Sequence, residues 1–335
     1  MTLVRIVKAW TWPDLNRQTP GGQGVWQDIQ FSLDPVAQAD YALVLNRAAA
    51  DTTLQTPPGH VWAVMQEPPN EISQQMHFGD KVYDRIYTCD PQLHGRRYIP
   101  SQPALPWHVN REYDFLKQVP PPNKTRSLSW ITSALKVTRG HRTRMLFLDR
   151  LRSAIEFDLW GKGIKPIDDK WDGLAPYRYA IAIENFSNSL YWSEKIADCF
   201  LAWTMPIYYG CTHITDYFPP ESLIQIDIEN PDVFEQIQEA VASDRWTQNQ
   251  DAVAYARELV LDQYQLFPYI TGQIHHHQEQ GCAEQNQYRP VTLPSVLQPP
   301  LSMEFVRYKL HRSIQQNSTV RFIRRAYSFL KRRGL

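Results

Sequence analysis

Two α/β domains of Rossmann type, facing each other across a stiff linker, are the architecture predicted by this 335-residue sequence. Three observations carry the prediction. Short continuous apolar runs recur at intervals, the pattern of parallel strands buried on both faces. Helix-period segments separate the runs in the second half, as crossover connections require. Between the halves lies Val119-Pro-Pro-Pro-Asn-Lys124, where three prolines stiffen the backbone and remove ladder donors.

In order along the chain, Val4-Arg-Ile-Val-Lys-Ala-Trp10 alternates as a strand, then Pro13, Pro20, Gly21, Gly22 and Gly24 break it. Tyr41-Ala-Leu-Val-Leu45, His60-Val-Trp-Ala-Val-Met65 and Arg85-Ile-Tyr-Thr88 are further strands of an open parallel sheet. Past the linker, Leu128–Thr132 is a strand and Arg142–Ile155 a helix with Met145, Leu148, Leu151 and Ile155 on one face. Strands follow at Ile155–Trp160 and Arg178–Ile183. Ser193 stands where an N-cap is wanted, before a helix through Trp203, and Pro206–Gly210 and Leu223–Ile226 return as strands. The domains are therefore placed at residues 1–122 and 123–290, with a tail over 291–335.

Composition excludes several classes of protein. Hydrophobic residues make up 43% and charged residues 21%, enough apolar surface for a core and too little charge for disorder. Lys plus Arg and Asp plus Glu are both 35, so net charge gives no reason to expect a nucleic-acid partner. The absence of an 18-residue apolar run or a signal-peptide layout predicts a cytoplasmic chain. Four scattered cysteines without CxxC spacing argue against a disulfide scaffold or a zinc site. Eleven tryptophans, five of them in the first third, supply flat faces that suit sugar rings as well as cores.

The densest polar cluster is Glu184-Asn185-Phe-Ser-Asn-Ser-Leu-Tyr191-Trp-Ser193-Glu194-Lys195, which leaves a buried strand and enters a helix. Ligands bind at that place in doubly wound sheets, where free N–H groups and a positive partial charge meet the solvent. Lys195 in the first helical turn opposes the dipole, so an anion such as a nucleotide diphosphate would compensate it. A capped helix with solvated charges reads equally well from spacing alone. Asp168-Asp169 reads as a solvated turn rather than a metal pair, and His275-His-His277 as a polar surface loop rather than a metal site.

Tyr177-Arg-Tyr-Ala-Ile-Ala-Ile-Glu-Asn185, Tyr191-Trp-Ser-Glu-Lys195, Pro206-Ile-Tyr-Tyr-Gly210 and Tyr217-Phe-Pro-Pro-Glu221 together resemble the signature of glycosyltransferase family 10, the α-1,3/1,4-fucosyltransferases; with no N-terminal membrane span expected, the sequence looks in that respect like the family's bacterial members. Ser133, Arg144–Leu151 and Phe157–Gly161 extend the resemblance upstream, and Trp62 with Gln66-Glu67-Pro68-Pro69 is similar to the family's Trp followed by Glu-Ser-Pro. Ile183, Leu190 and Ser193 depart from the usual Phe, Asp and Thr.

The resemblance implies a GT-B fold, a GDP-fucose donor held by the second domain, a glycan acceptor, and inversion at the sugar carbon. It implies Glu67 as the catalytic base, expected as a buried acid on the cleft lip. Arg144 and Lys195 would neutralise the diphosphate and Glu194 would hold the ribose. Glu184, Asn185 and Tyr191 complete the donor site. No cofactor or metal is required on this reading, which leaves room for divalent stimulation. Leu190 keeps another GDP-sugar open as donor, and a non-catalytic nucleotide- or glycan-binding protein on the same fold is the rival of another class.

From Glu304 to Leu335 nine Lys or Arg face one Glu. Phe322, Ile323, Ala326, Phe329 and Leu330 would form an apolar stripe on a helix there. Such a helix suits an anionic membrane surface and a peripheral location; packing back on the first domain is the equal alternative.

Overall fold

A computed structural model describes residues 1–70, 73, 80–281 and 287–295. The N-terminal half gives β1 (Thr2–Lys8), β2 (Val25–Trp26), β3 (Ile29–Ser32), β4 (Tyr41–Leu45), β5 (Thr52–Thr56), β6 (Val61–Met65), β7 (Arg85–Thr88) and β8 (Tyr98–Pro100). Seven of these form one sheet in the order β2-β3-β1-β4-β6-β7-β8, parallel except where β2 meets β3. All five residues of β4, and of β6, are buried, as the uninterrupted apolar runs require of strands covered on both faces.

After α1 (Tyr113–Gln118) the chain builds a second sheet from β9 (Arg126–Ile131), β10 (Asp158–Trp160), β11 (Tyr177–Ile183), β12 (Met205–Tyr209) and β13 (Ile224–Gln225). Its order is β10-β9-β11-β12-β13, and every pairing is parallel. The crossovers include α2 (Arg139–Leu151) and α3 (Glu194–Leu201). Two parallel α/β sheets joined through the proline linker meet the GT-B expectation.

The expected helix over 142–155 lies earlier, at 139–151. Thr138 caps it, its hydroxyl accepting from His141 N while the His141 ring accepts from Thr138 N. Gly140 hides this first turn from a periodicity reading, yet only glycine fits. A Cβ there would stand 1.6 Å from the Asn185 carbonyl oxygen.

Past β13 come α4 (Val233–Ala242), α5 (Arg245–Gln248), α6 (Gln250–Leu259), α7 (Leu266–Glu279) and β14 (Arg289–Leu293). The chain then returns to the first sheet. Leu266, Phe267, Ile270 and Ile274 of α7 are fully buried among Val4, Ile6, Leu43 and Trp62, and β14 pairs antiparallel with β5.

His275–His277 therefore do not form a surface loop; they lie within the last turns of α7. His277 is buried, its Nδ1 2.9 Å from the Tyr41 hydroxyl and its ring 5.3 Å from that of Trp62. Burial, with help from Arg85 and His60, lowers its pKa to about 4, so it packs as a neutral ring. His275 pairs with Asp28 at 2.7 Å.

The carboxyl ends of the two sheets meet. Asn188, beyond β11, donates through Nδ2 to the Cys89 carbonyl at 2.8 Å, just past β7. The buried Asp198 of α3 accepts from His108 N at 2.7 Å, Val109 N at 3.2 Å and Lys170 Nζ at 2.8 Å. One carboxylate thus fixes the segment entering the linker against the helix of the polar cluster. Among the described residues no helix is long and apolar enough to cross a membrane. The tail over 304–335 lies outside the described residues.

Candidate active site

β11 is almost entirely buried and delivers Glu184 to its carboxyl end with 2% exposure. A carboxylate so placed needs charge-assisted partners. Glu184 has two: Ser193 Oγ donates at 2.6 Å and Lys195 Nζ at 2.8 Å. Ser193 also accepts from Lys195 N at 3.3 Å, capping α3 as expected. The anion that offsets Lys195 at this helix start is thus the protein's own Glu184, with Glu194 at 3.8 Å behind it.

Glu194 sits among three bases: His108 Nδ1 at 3.7 Å, Lys170 Nζ at 3.5 Å and Lys195. Burial opposes its charge, but Lys195, Lys170 and His108 outweigh burial and hold its pKa well below the usual carboxylate range. Burial likewise opposes the Lys170 charge, which Asp198 and Glu194 overcome, raising its pKa to about 12. His108 goes the other way, burial lowering it to about 4. Tyr191 is buried and pushed well above the usual tyrosine value, first by burial and then by Glu184 and Glu67, so it is a neutral phenol.

A cavity of about 410 Å³ opens at the sheet ends. Arg139, Gly140, Thr143 and Arg144 from the first turns of α2 form one wall, Glu184 and Asn185 another, and Pro69 and Asn70 contribute from the first domain. Arg144 is 4% exposed. Its Nη2 donates to Ser133 Oγ at 3.3 Å, while its Nε has no partner among the described residues. A buried guanidinium with an open donor on a cavity wall is a place for an anion.

His141 is held neutral, burial and the nearby Arg144 lowering its pKa to about 4. Its Nδ1 accepts from Thr138 N, which leaves Nε2 as the N–H, 3.4 Å from the assigned Asn185 Nδ2. Asn185 Oδ1 is buried without a partner. Exchanging the two amide atoms gives His141 Nε2–H an acceptor and leaves the Asn185 amide N–H as the group without a partner among the described residues.

Of the seven residues expected at the site, Arg144, Glu184 and Asn185 line the cavity. Tyr191, Glu194 and Lys195 are not among its lining residues; Lys195 Nζ pairs with Glu184 and lies 3.8 Å from Glu194. Glu67 lines an adjoining crevice with Asn46, Met65, Pro69, Ser73, Thr88 and Asp90. Pro69 borders both spaces.

The expectation of a buried Glu67 is corrected. Gln66 and Pro68 on either side are buried, and Glu67 is exposed. Its backbone is aimed by Asn46, whose Oδ1 accepts from Gln66 N at 2.6 Å and Glu67 N at 3.3 Å. The pocket for Gln66 explains the exposure: its amide reaches the buried Ala104 carbonyl at 3.1 Å, so alternation turns Glu67 outward.

Sequence reasoning missed Arg139, His141, His108 and Lys170. Arg139 follows the N-cap of a helix already expected, a signal available in Thr138. His108 and Lys170 reach the cluster through long-range contacts that carry no local pattern. Asp169 also departs from the solvated turn read for it. It caps its own turn, accepting from Trp171 N at 2.9 Å, and accepts from Asn110 N at 2.9 Å while pairing with Arg111. Among the described residues no group of three or more His, Cys, Asp or Glu is arranged to hold a metal ion.

Residues 121–259 match the family model described as Glycosyltransferase family 10 (fucosyltransferase) C-term. Among solved structures, an alpha1,3-fucosyltransferase is similar at 13% identity over 86% of this chain and 91% of that one, with a TM-score of 0.49. An alpha1,3-fucosyltransferase with GDP-fucose gives 14% identity over 79% and 92%, with a TM-score of 0.44. A mutant of S. aureus TarM in complex with Fondaparinux, alpha-GlcNAc-glycerol and UDP gives 10% over 71% and 55%, with a TM-score of 0.47. No curated protein matches the chain.

Proposed function

We propose that this chain, a glycosyltransferase whose residues 121–259 match family 10, transfers fucose from GDP-fucose to a hydroxyl of a glycan acceptor with inversion. The observation that carries the reading is Arg144, a buried cation that lines the cavity at the sheet ends and whose Nε has no partner among the described residues. The cavity wall beside it is the first turn of α2, where backbone N–H groups and the helix dipole favour a diphosphate.

In the proposed reaction an acceptor oxygen attacks the anomeric carbon as the bond from that carbon to the β-phosphate oxygen breaks. The acceptor proton passes to the Glu67 carboxylate, and GDP leaves with the bonding pair. An exposed carboxylate beside the cavity can meet an incoming hydroxyl and take its proton. Arg144 stabilises the charge that grows on the diphosphate. Glu194, kept ionised by Lys195 and Lys170, is the proposed acceptor for the ribose hydroxyls. Lys195 holds Glu184 in place and adds positive potential behind the phosphates.

The test is release of GDP from GDP-fucose over a panel of glycans. Glu67→Gln keeps the shape but cannot take the proton, so turnover is expected to fall by roughly 10²–10⁴ while GDP affinity holds. Near-normal turnover in that variant would remove Glu67 from the mechanism.

The basic segment over 304–335 is proposed to rest on an anionic membrane surface, bringing the active site to lipid-linked glycans.

A further inference from the structure

The donor cavity is chemically lopsided. Arg139 and Arg144 come from the start of α2, which follows β9, while Tyr209, leaving β12, and Ile228 and Glu229, past β13, come from strands on the other side of β11. Phe186 and Ser187 also line it. Ile228 is buried at 5%, so it offers a fixed apolar surface, and the half-buried Tyr209 ring is an aromatic one. Glu229 is exposed and carries no salt bridge among the described residues. Its backbone N–H donates to Asp227 Oδ1 at 3.0 Å, which fixes the turn and leaves the side chain to the cavity. Tyr209 and Glu229 line the same cavity, and burial first, then Glu229 and Asp227, push the Tyr209 hydroxyl above its usual value.

We infer that Glu229 reads the donor's nucleobase, its carboxylate accepting the N1–H and 2-amino N–H of a guanine packed against Tyr209 and Ile228. This rests on the reading of the cavity as a nucleoside diphosphate-sugar site and goes further by assigning the base-selective residue. Guanine alone of the common bases presents two adjacent N–H donors on that edge, a match for a two-oxygen acceptor. Uracil offers one N–H between two carbonyls, and adenine and cytosine place a ring-nitrogen acceptor beside their amino group. Each of those sets an acceptor against the carboxylate, so selection comes from repulsion as well as attraction. Glu184, the other carboxylate on the cavity, is already engaged by Ser193 and Lys195.

The experiment is calorimetric binding of GDP, inosine diphosphate and UDP to the full chain, to Glu229→Ala and to Glu229→Gln. Inosine diphosphate lacks only the 2-amino group. The wild-type protein is expected to prefer GDP over inosine diphosphate by roughly ten- to a hundredfold, the range of one hydrogen bond to a charged group. In Glu229→Ala the two should bind within about twofold of each other, and the deficit of UDP should shrink. Glu229→Gln, with one acceptor oxygen left, should fall between. Unchanged melting temperatures would confirm intact folds, as expected for an exposed side chain.

A Glu229→Ala protein that discriminates as the wild type does would overturn the assignment of Glu229 alone. So would a wild-type protein that binds GDP and inosine diphosphate equally. A wild-type protein binding UDP as tightly as GDP would defeat the donor reading itself.

Discussion

Glu184 and Lys195 show how a charge can be read correctly while its partner is missed. Lys195 does oppose the helix dipole, and an anion does answer it, but that anion lies eleven positions back at a strand end. Removing one member of such a pair leaves the other stranded. Lys195→Met is therefore expected to cost about 3–5 kcal/mol in urea unfolding, and adding Glu184→Gln should recover much of it. A double variant as unstable as the single one would show that the pair is not coupled. Arg144→Ala should cost less stability than Lys195→Met, because among the described residues Arg144 forms no salt bridge and gives up the 3.3 Å contact of Nη2 with Ser133 Oγ. It should instead weaken GDP binding by about 1.5–3 kcal/mol, the value of a charge-assisted contact.

The histidines set the pH response. His108 and His141 are both held near 4 by burial, below the unfolded value of about 6.5. The unfolded chain therefore takes up these protons first, and stability is present above about pH 6.5 and falls as pH drops towards 4. Glu194, held low, adds a further loss once pH passes below about 4.3. Thermal unfolding between pH 7 and 4.5 should show a falling midpoint, with a shallower fall in His108→Asn. A flat profile would contradict the buried neutral state.

At the scale of elements, α2 ties sequence to site most tightly. Its start is fixed by Thr138 and His141, and Gly140 lets it approach the end of β11 as no other residue would. Gly140→Ala should push the helix start from Asn185 and lower both melting temperature and GDP affinity. A variant with wild-type values for both would show that this approach is not required.

The central strands were legible because parallel strands covered on both faces leave continuous apolar runs, as at Tyr41–Leu45, which the structure reproduces residue for residue; the short or half-exposed β2, β3, β5, β8 and β14 leave no such run and were not read. α7 was not. Its apolar stripe is interrupted by three histidines, and the reason one of them is buried is Tyr41, 236 positions away. The motif residues at the end of β11 were legible through the family pattern. Lys170 and His108 were not, since only the folded chain brings them to Glu194.

For the whole molecule, the packing of α7 on the first sheet and the pairing of β14 with β5 make the first domain depend on the C-terminal region. The basic segment over 304–335 comes after β14 in the sequence. Full-length protein is expected to sediment with anionic vesicles at low salt, and a chain truncated after Ser318 to stay in solution. Equal sedimentation of both, or of neither, would remove the membrane role.

The central claim is that the cavity between Arg144 and Glu229 receives GDP-fucose. It is tested most directly by the melting temperature of the full chain against GDP-fucose, GDP-mannose, UDP-sugars and CMP-sugars at equal concentration. Binding to the folded state raises the midpoint more the tighter the ligand is held, so the account predicts the largest rise with GDP-fucose and little with UDP- or CMP-sugars. An equal or larger rise with a UDP- or CMP-sugar would contradict it.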